Sequence, residues 1–214
     1  MKNVQFEYGE GYLEAQLPES AEVFIPGETV ADPPIMTEVD KATLESILNP
    51  IGMQPISELV GPGSKVTISF PDRVKGGYQE DSHRKTSIPL LIKECLKAGV
   101  KHKDIKLICA IGLHRKNTDN EIRDILGEKL YYQFAHSGQI SNHDAENWEN
   151  LIDLGFNELG DHIIMNKDVY ESDLAILIGH VLGNPYGGYS GGDKMAATGI
   201  THWKCIAAHH IPRV

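Results

Sequence analysis

Lys65-Val66-Thr67-Ile68-Ser69-Phe70 is the stretch on which the fold turns. Its β-branched residues follow a Gly61-Pro62-Gly63 turn, so it reads as a strand entered from a tight bend. Downstream, Ser87 to Ala98 carries apolar residues at Ile88, Leu91, Ile92, Cys95 and Leu96, a helical stripe closed by Gly99. Asp104 to Ile111 is the next apolar strand. Thr118-Asp119-Asn120-Glu121 has capping-box spacing and opens a helix to Gly127. Leu174 to Ile178 is a further buried strand. This order of strand, loop, helix and strand predicts an α/β fold with a mostly parallel sheet flanked by helices. Ligands of such sheets bind beyond the carboxyl ends of the strands.

Upstream, Tyr8-Gly9-Glu10-Gly11 between short alternating runs predicts an N-terminal hairpin. Glu19 to Pro34, acidic and rich in Pro and Gly, reads as an extended arm. Asp40 caps a helix running to about Leu48 and ended by Asn49-Pro50. The expected division is a hairpin, arm and helix over 1–60 and an α/β cofactor-binding region over 61–214. No internal repeat or low-complexity tract interrupts either part.

The chain has 214 residues, enough to bury a substantial core. A formal charge of −10 argues against nonspecific binding of DNA or anionic membranes. The three cysteines, Cys95, Cys109 and Cys205, form neither a metal-knuckle pattern nor an even disulfide framework. No run approaches eighteen apolar residues and the N-terminus lacks a signal-peptide pattern. A reducing cytoplasm is the expected location.

Three polar loops fall at predicted strand ends. The first is Pro71-Asp72-Arg73-Val74-Lys75-Gly76-Gly77, leading to Ser82-His83-Arg84-Lys85. The second is Gly112-Leu113-His114-Arg115-Lys116-Asn117-Thr118. The third runs from Gly179-His180 through Gly183-Asn184-Pro185-Tyr186-Gly187-Gly188-Tyr189-Ser190-Gly191-Gly192-Asp193-Lys194, with His209-His210 beyond it. Glycines let a backbone close around a ligand, and a helix opening near Gly192 would aim free N–H groups at an anion. The spacing fits neither a P-loop nor Gly-x-Gly-x-x-Gly. His102, His136, His143 and His162 sit in polar or loop contexts and read as structural. Residue chemistry alone therefore stops at a binder of small anions such as a nucleotide phosphate or a carboxylate.

Ala110-Ile111-Gly112-Leu113-His114-Arg115, Asp173 to His180, and Gly188-Tyr189-Ser190-Gly191-Gly192-Asp193-Lys194 resemble the lactate racemase family. The resemblance runs from about Gly61 to the last residue. It implies a nickel-pincer nucleotide, a pyridinium mononucleotide whose carbon and two sulfurs grip nickel. Lys194 matches the lysine that joins this cofactor, and Tyr189, Ser190, Gly191 and Gly192 fall where the loop approaches it. His210, sixteen residues beyond Lys194, matches the nickel ligand, with His209 an adjacent competitor. An imidazole suits nickel held by soft sulfur donors. A neighbouring cation, Arg73 or Lys75, would lower the lysine's pKa and favour the amine. His114 matches a catalytic histidine that takes the hydroxyl proton while the α-hydride moves to the cofactor. Asp72, Arg73, Lys75 and Asn184 are the expected substrate-binding residues, with a role for Arg84 left open.

Two departures stand out. The family's second catalytic histidine falls on Asn184, and an amide does not exchange protons near neutral pH. His180 is the expected substitute, with Tyr186 as the alternative. Members of the family are also about twice as long, and a helix starting near Thr201 would have nothing to pack against, so a fragment is expected. The implied function is a racemase or epimerase of a 2-hydroxy acid, binding no nucleic acid and no membrane, with homo-oligomerisation open. The alternatives are a non-catalytic nucleotide- or phosphate-binding protein that kept the loop, and a metal-independent enzyme of a phosphate site.

Overall fold

A computed structural model describes residues 1–25, 27–75, 82–184 and 188–210. It divides into two compact units, 1–37 and 38–214. In the first, β1 (Lys2–Tyr8) and β2 (Gly11–Leu17) pair antiparallel through Gly9-Glu10, and Gly9 supplies the positive φ of that turn. The arm follows, largely without regular structure. The hairpin expected from Tyr8 to Gly11 is therefore present.

The second unit opens with α1 (Val39–Leu48) and the single turn α2 (Ile56–Leu59), which both pack on a later helix. The division expected at residue 60 thus differs from the one observed. Helix α1 was grouped with the arm, but Ile47 packs against the main core.

Next come β3 (Val66–Pro71), α3 (Arg84–Lys97) and β4 (Ile105–Ala110). Helices α4 (Asp119–Leu126) and α5 (Glu128–Ala135) lead to β5 (Ile140–Asn142). A hairpin of β6 (Leu151–Phe156) and β7 (His162–Asn166), then the turn α6 (Lys167–Tyr170), precede β8 (Leu174–Leu177). Short strands β9 (Gly183–Asn184) and β10 (Gly188–Tyr189) and helix α7 (Trp203–His209) complete the unit.

The central sheet has the order β5-β4-β3-β8, and its adjacent strands run parallel. Every residue of β3 is buried, which is why its sequence is a continuous run with no exposed face. Val66, Ile68 and Phe70 pack with Ile88, Ile92, Leu107 and Ile125 in the main core, while Ile108 and Ala110 face a second cluster with Met195 and Ile200. The capping box at Thr118 is formed, with its side chain accepting from the Glu121 N–H and the Glu121 carboxylate accepting from the Thr118 N–H.

This strand order bears on function. The chain moves outward from β3 to β4 to β5, then returns so that β8 lies on the opposite side of β3. The direction of winding reverses between β3 and β8, so their connecting loops diverge and leave a crevice at the carboxyl edge.

Two features went unseen in the sequence. The β6–β7 hairpin braces the C-terminal segment: the Asn166 N–H donates to the Ile200 carbonyl (2.8 Å) and the His202 N–H to the Ile164 carbonyl (3.0 Å). Against that hairpin lies α7, whose Cys205 clusters with Leu151 and Ile164. The expectation that a helix near Thr201 lacks a packing partner is overturned. The three cysteines are free and buried. No helix among the described residues is long and apolar enough to cross a membrane.

Candidate active site

The site is built on a crossing of two backbone segments that only glycine permits. Beyond β8 the chain passes Gly179 and His180, and Gly191-Gly192 lies directly against them. A Cβ on Gly179 would come within 2.7 Å of Gly191 Cα, and one on Gly191 within 2.7 Å of the His180 carbonyl oxygen. Gly191 also has φ +77°. Ser190 is buried, its hydroxyl donates to the His180 carbonyl (3.1 Å), and its N–H donates to that of Leu182 (2.8 Å). The crossing seats Lys194 beside the end of β8.

From Lys194 the chain enters a π-type turn, Met195–Gly199, wider than an α-helical turn. The expected helix near Gly192 is thus this short turn. It touches the loop after β4: the Gly112 N–H donates to the Gly199 carbonyl (3.1 Å), and a Cβ on Gly112 would sit 3.0 Å from the Thr198 carbonyl oxygen. Loops from β3, β4 and β8, with the π-type turn and the end of α7, thereby enclose a cleft of about 330 Å³. Asp72, Lys75, His114, His180, Asn184, Ser190, Gly191, Lys194 and His210 all line it. So do Thr198, Met195 and Ile206, which sequence reasoning missed because nothing local marks a turn that folds back onto another loop.

His114 is held from behind. Its Nδ1 lies 2.6 Å from Asp72 Oδ2, and the Asp72 side chain is only 1 % exposed. Asp72 Oδ1 accepts from the Val74 N–H (3.1 Å), and the buried Arg84 guanidinium donates to the Pro71 and Asp72 carbonyls (2.7 and 2.6 Å). A hydrogen bond to the Asp72 carboxylate raises the His114 pKa; burial and the charge of Lys75 oppose it. With Nδ1–H directed to a carboxylate, Nε2 is the nitrogen left for proton exchange. Asp72, expected to bind substrate, lines the cleft with its carboxylate against His114 Nδ1. Arg84, left open in the sequence, clamps the loop that carries Asp72.

Lys194 Nζ donates to Asn184 Oδ1 (2.9 Å). Burial lowers its pKa, and the nearby charge of Lys75 lowers it further. Both shift the group toward the neutral amine. His210 Nδ1–H donates to the Ile206 carbonyl (3.0 Å), which in the neutral ring places the lone pair on Nε2. His209 points elsewhere: its nitrogens meet the Cys205 carbonyl (2.9 Å) and Thr198 Oγ1 (3.0 Å), and it lines a separate cavity with Met165 and Cys205.

Three expected site residues lie off the cleft. Arg73 forms an ion pair with Glu121 (2.5 Å), which Arg115 also grips; these two arginines hold the Glu121 carboxyl far below the usual carboxylate range. Its charge is turned toward α4, where an acidic first turn favours it. Tyr189 is 48 % exposed on β10, with Gly192 packed near its ring edge, and neither lines the cleft. Tyr186, the alternative to His180, lies outside the described residues. None of His102, His136, His143 and His162 reaches the cleft.

The result is an α/β domain with a glycine-walled cleft at its sheet's switch point, furnished with a lysine amine and several histidines. Residues 8–214 match the lactate racemase N-terminal domain, and the chain belongs to that family. It is 27 % identical over 210 residues to a lactate racemase of Thermoanaerobacterium thermosaccharolyticum, covering 98 % of this chain and 47 % of the relative. It is 28 % identical over 172 residues to a lactate racemase of Lactiplantibacillus plantarum, covering 80 % of this chain and 38 % of the relative. The solved lactate racemase apoprotein from T. thermosaccharolyticum superposes with a TM-score of 0.69 at 26 % identity, covering 97 % of this chain and 46 % of that one. The chain thus spans about half the length or less of the relatives it matches.

Proposed function

We propose that this chain is the cofactor-holding half of a racemase or epimerase of a 2-hydroxy acid that works with a nickel-pincer nucleotide. One observation carries the reading: Lys194, His210 and His114, far apart in sequence, line a single cleft. Its volume of about 330 Å³ lies within the range of small-molecule sites, about 300–1,000 Å³. The residues fit the group. Lys194 offers an amine with a lowered pKa for the covalent link, and His210 offers Nε2 to nickel. Gly191 and Ser190, packed against the His180 backbone, form part of the cleft wall.

When bound, the group supplies a carbon that accepts and returns hydride. The chain's own residues handle protons and orientation. His114 Nε2 takes the proton of the substrate hydroxyl, and Asp72 stabilises the imidazolium that results. Lys75 attracts the substrate carboxylate. Asn184 hydrogen-bonds without exchanging protons, so His180, also on the wall, serves the opposite face of the substrate carbon.

The test is incubation with nickel and the pincer nucleotide, followed by intact-mass and metal analysis. A mass gain lost in Lys194→Ala, with about one nickel per chain lost in His210→Ala, is expected. No gain, or a gain indifferent to Lys194, would overturn the reading. Loading without racemisation by the full-length protein would favour the non-catalytic nucleotide binder.

A further inference from the structure

His180 lines the cleft, and near it lie polar atoms without a hydrogen-bond partner among the described residues. Its Nδ1 is out of solvent and has no hydrogen-bond partner among the described residues. The same is true of His83 Nε2 and Ser87 Oγ. These groups come from two elements. His83 occupies the N-cap position of α3, and the Ser87 N–H donates to the His83 carbonyl (2.7 Å), so the two residues lie one turn apart on one helix face. The rings of His83 and His180 meet edge to face with centroids 6.0 Å apart. A buried polar atom left unpaired is destabilising, so the arrangement calls for a shared partner. A space with two to four polar partners is where a buried water resides.

We infer that one buried water joins His180 Nδ1 to His83 Nε2, with the Ser87 hydroxyl as its third partner, and that His83 is thereby a positioning residue for His180. The order of donors follows from the task. For His180 Nε2 to accept a proton in the cleft, its Nδ1 must carry the hydrogen and donate to the water. That water then donates to His83 Nε2, which has to remain an acceptor and therefore unprotonated. Burial, the Arg84 charge and His180 all lower the His83 pKa, in the required direction. Arg84 cannot substitute as the acceptor because a guanidinium only donates. The arrangement does for His180 what Asp72 does for His114, with a neutral partner at one remove.

The inference rests on the reading of His180 as a proton carrier, yet its test requires neither nickel nor substrate. Long-range ¹H–¹⁵N spectra of the unloaded chain, with His180 assigned through His180→Gln, report which ring nitrogen bears the hydrogen. The Nδ1–H form of His180 should dominate by about tenfold, the ratio that about 1.4 kcal/mol sustains. His83→Phe should abolish that preference, and His83→Gln, whose amide oxygen also accepts, should restore most of it. A high-resolution crystal structure should contain one ordered water within hydrogen-bond distance of both nitrogens. A dominant Nε2–H form in the unaltered chain, an unchanged tautomer in His83→Phe, or a dry gap between the rings would overturn the inference. Those results would leave the Lys194 and His210 mass and metal assays untouched, so the two failures are separable.

Discussion

Replacing Gly191 by Ala should cost far more than the same change one residue later. Both glycines have positive φ, +77° and +51°, so alanine at either position pays the left-handed penalty of about 1–2 kcal/mol. Their surroundings differ. At Gly192 the nearest atom to an added Cβ is Tyr189 Cε2 at 3.5 Å, an ordinary contact with a ring. At Gly191 the Cβ would meet the His180 oxygen and carbon at 2.7 and 2.8 Å and the Val181 nitrogen at 3.0 Å. These are backbone atoms with no rotamer to escape into, so overpacking adds about 1–3 kcal/mol. Gly192→Ala should therefore lose about 1–2 kcal/mol, from the left-handed term alone. For Gly191→Ala the two terms together amount to about 2–5 kcal/mol. In a chain of this size the difference corresponds to about 2–12 °C in Tm. Gly179→Ala separates the effects, since it meets Gly191 Cα at 2.7 Å without a positive φ. Urea and thermal unfolding followed by circular dichroism measure all three. Equal midpoints for Gly191→Ala and Gly192→Ala would refute the claim that the two segments cross in van der Waals contact.

Three further outcomes follow from the electrostatics. Asp72→Asn should lower the His114 pKa, read by NMR titration, because the carboxylate raises it. A raised folded-state pKa contributes stability that is complete below the unfolded value of about 6.5 and is lost as pH rises through the folded value. The gap in stability between the unaltered protein and this variant should accordingly narrow from acidic to alkaline pH. His143 behaves oppositely. Burial lowers its pKa, its Nε2–H donates to the Thr201 carbonyl (2.9 Å), and Asn166 donates to its Nδ1 (3.3 Å). The unfolded chain then binds the proton more readily, so stability falls with pH below about 6.5. His143→Leu should cost about 2–4 kcal/mol near neutrality by orphaning both partners, and should flatten the acid limb of thermal unfolding. Finally, Lys75→Ala should slow amine acylation of Lys194 at neutral pH by raising its pKa, measured by peptide mass spectrometry. Arg73→Ala, whose charge belongs to Glu121, should leave that rate unchanged.

Strands β3, β4 and β8 and helices α3 and α4 were legible because each carries its own period or cap. Val66 to Phe70 has no solvent face to obscure its apolar run, and Thr118 and Glu121 satisfy each other's backbone groups within four residues. The candidate residues Lys194, His210 and His114 were legible for a different reason: the motifs around them resemble a family. The β6–β7 hairpin was not, since most of β6 and part of β7 lie at half-exposed surface and neither alternates cleanly. Helix α7 was seen without its partner, which lies some forty residues earlier in the chain.

Sequence alone determined the parallel sheet, the polar loops at its carboxyl edge and the glycine-rich loop beyond β8, because periodicity, capping and composition are local properties. Tertiary structure decided which side chains share the cleft. Strand order put β8 beside β3, and only that reversal brings Lys194 toward His114. It also sent Arg73 to Glu121, set Asp72 behind His114, and turned His209 away while His210 faces in. The direction of a side chain on a loop depends on charges and backbone donors distant in sequence, which no neighbouring residue encodes.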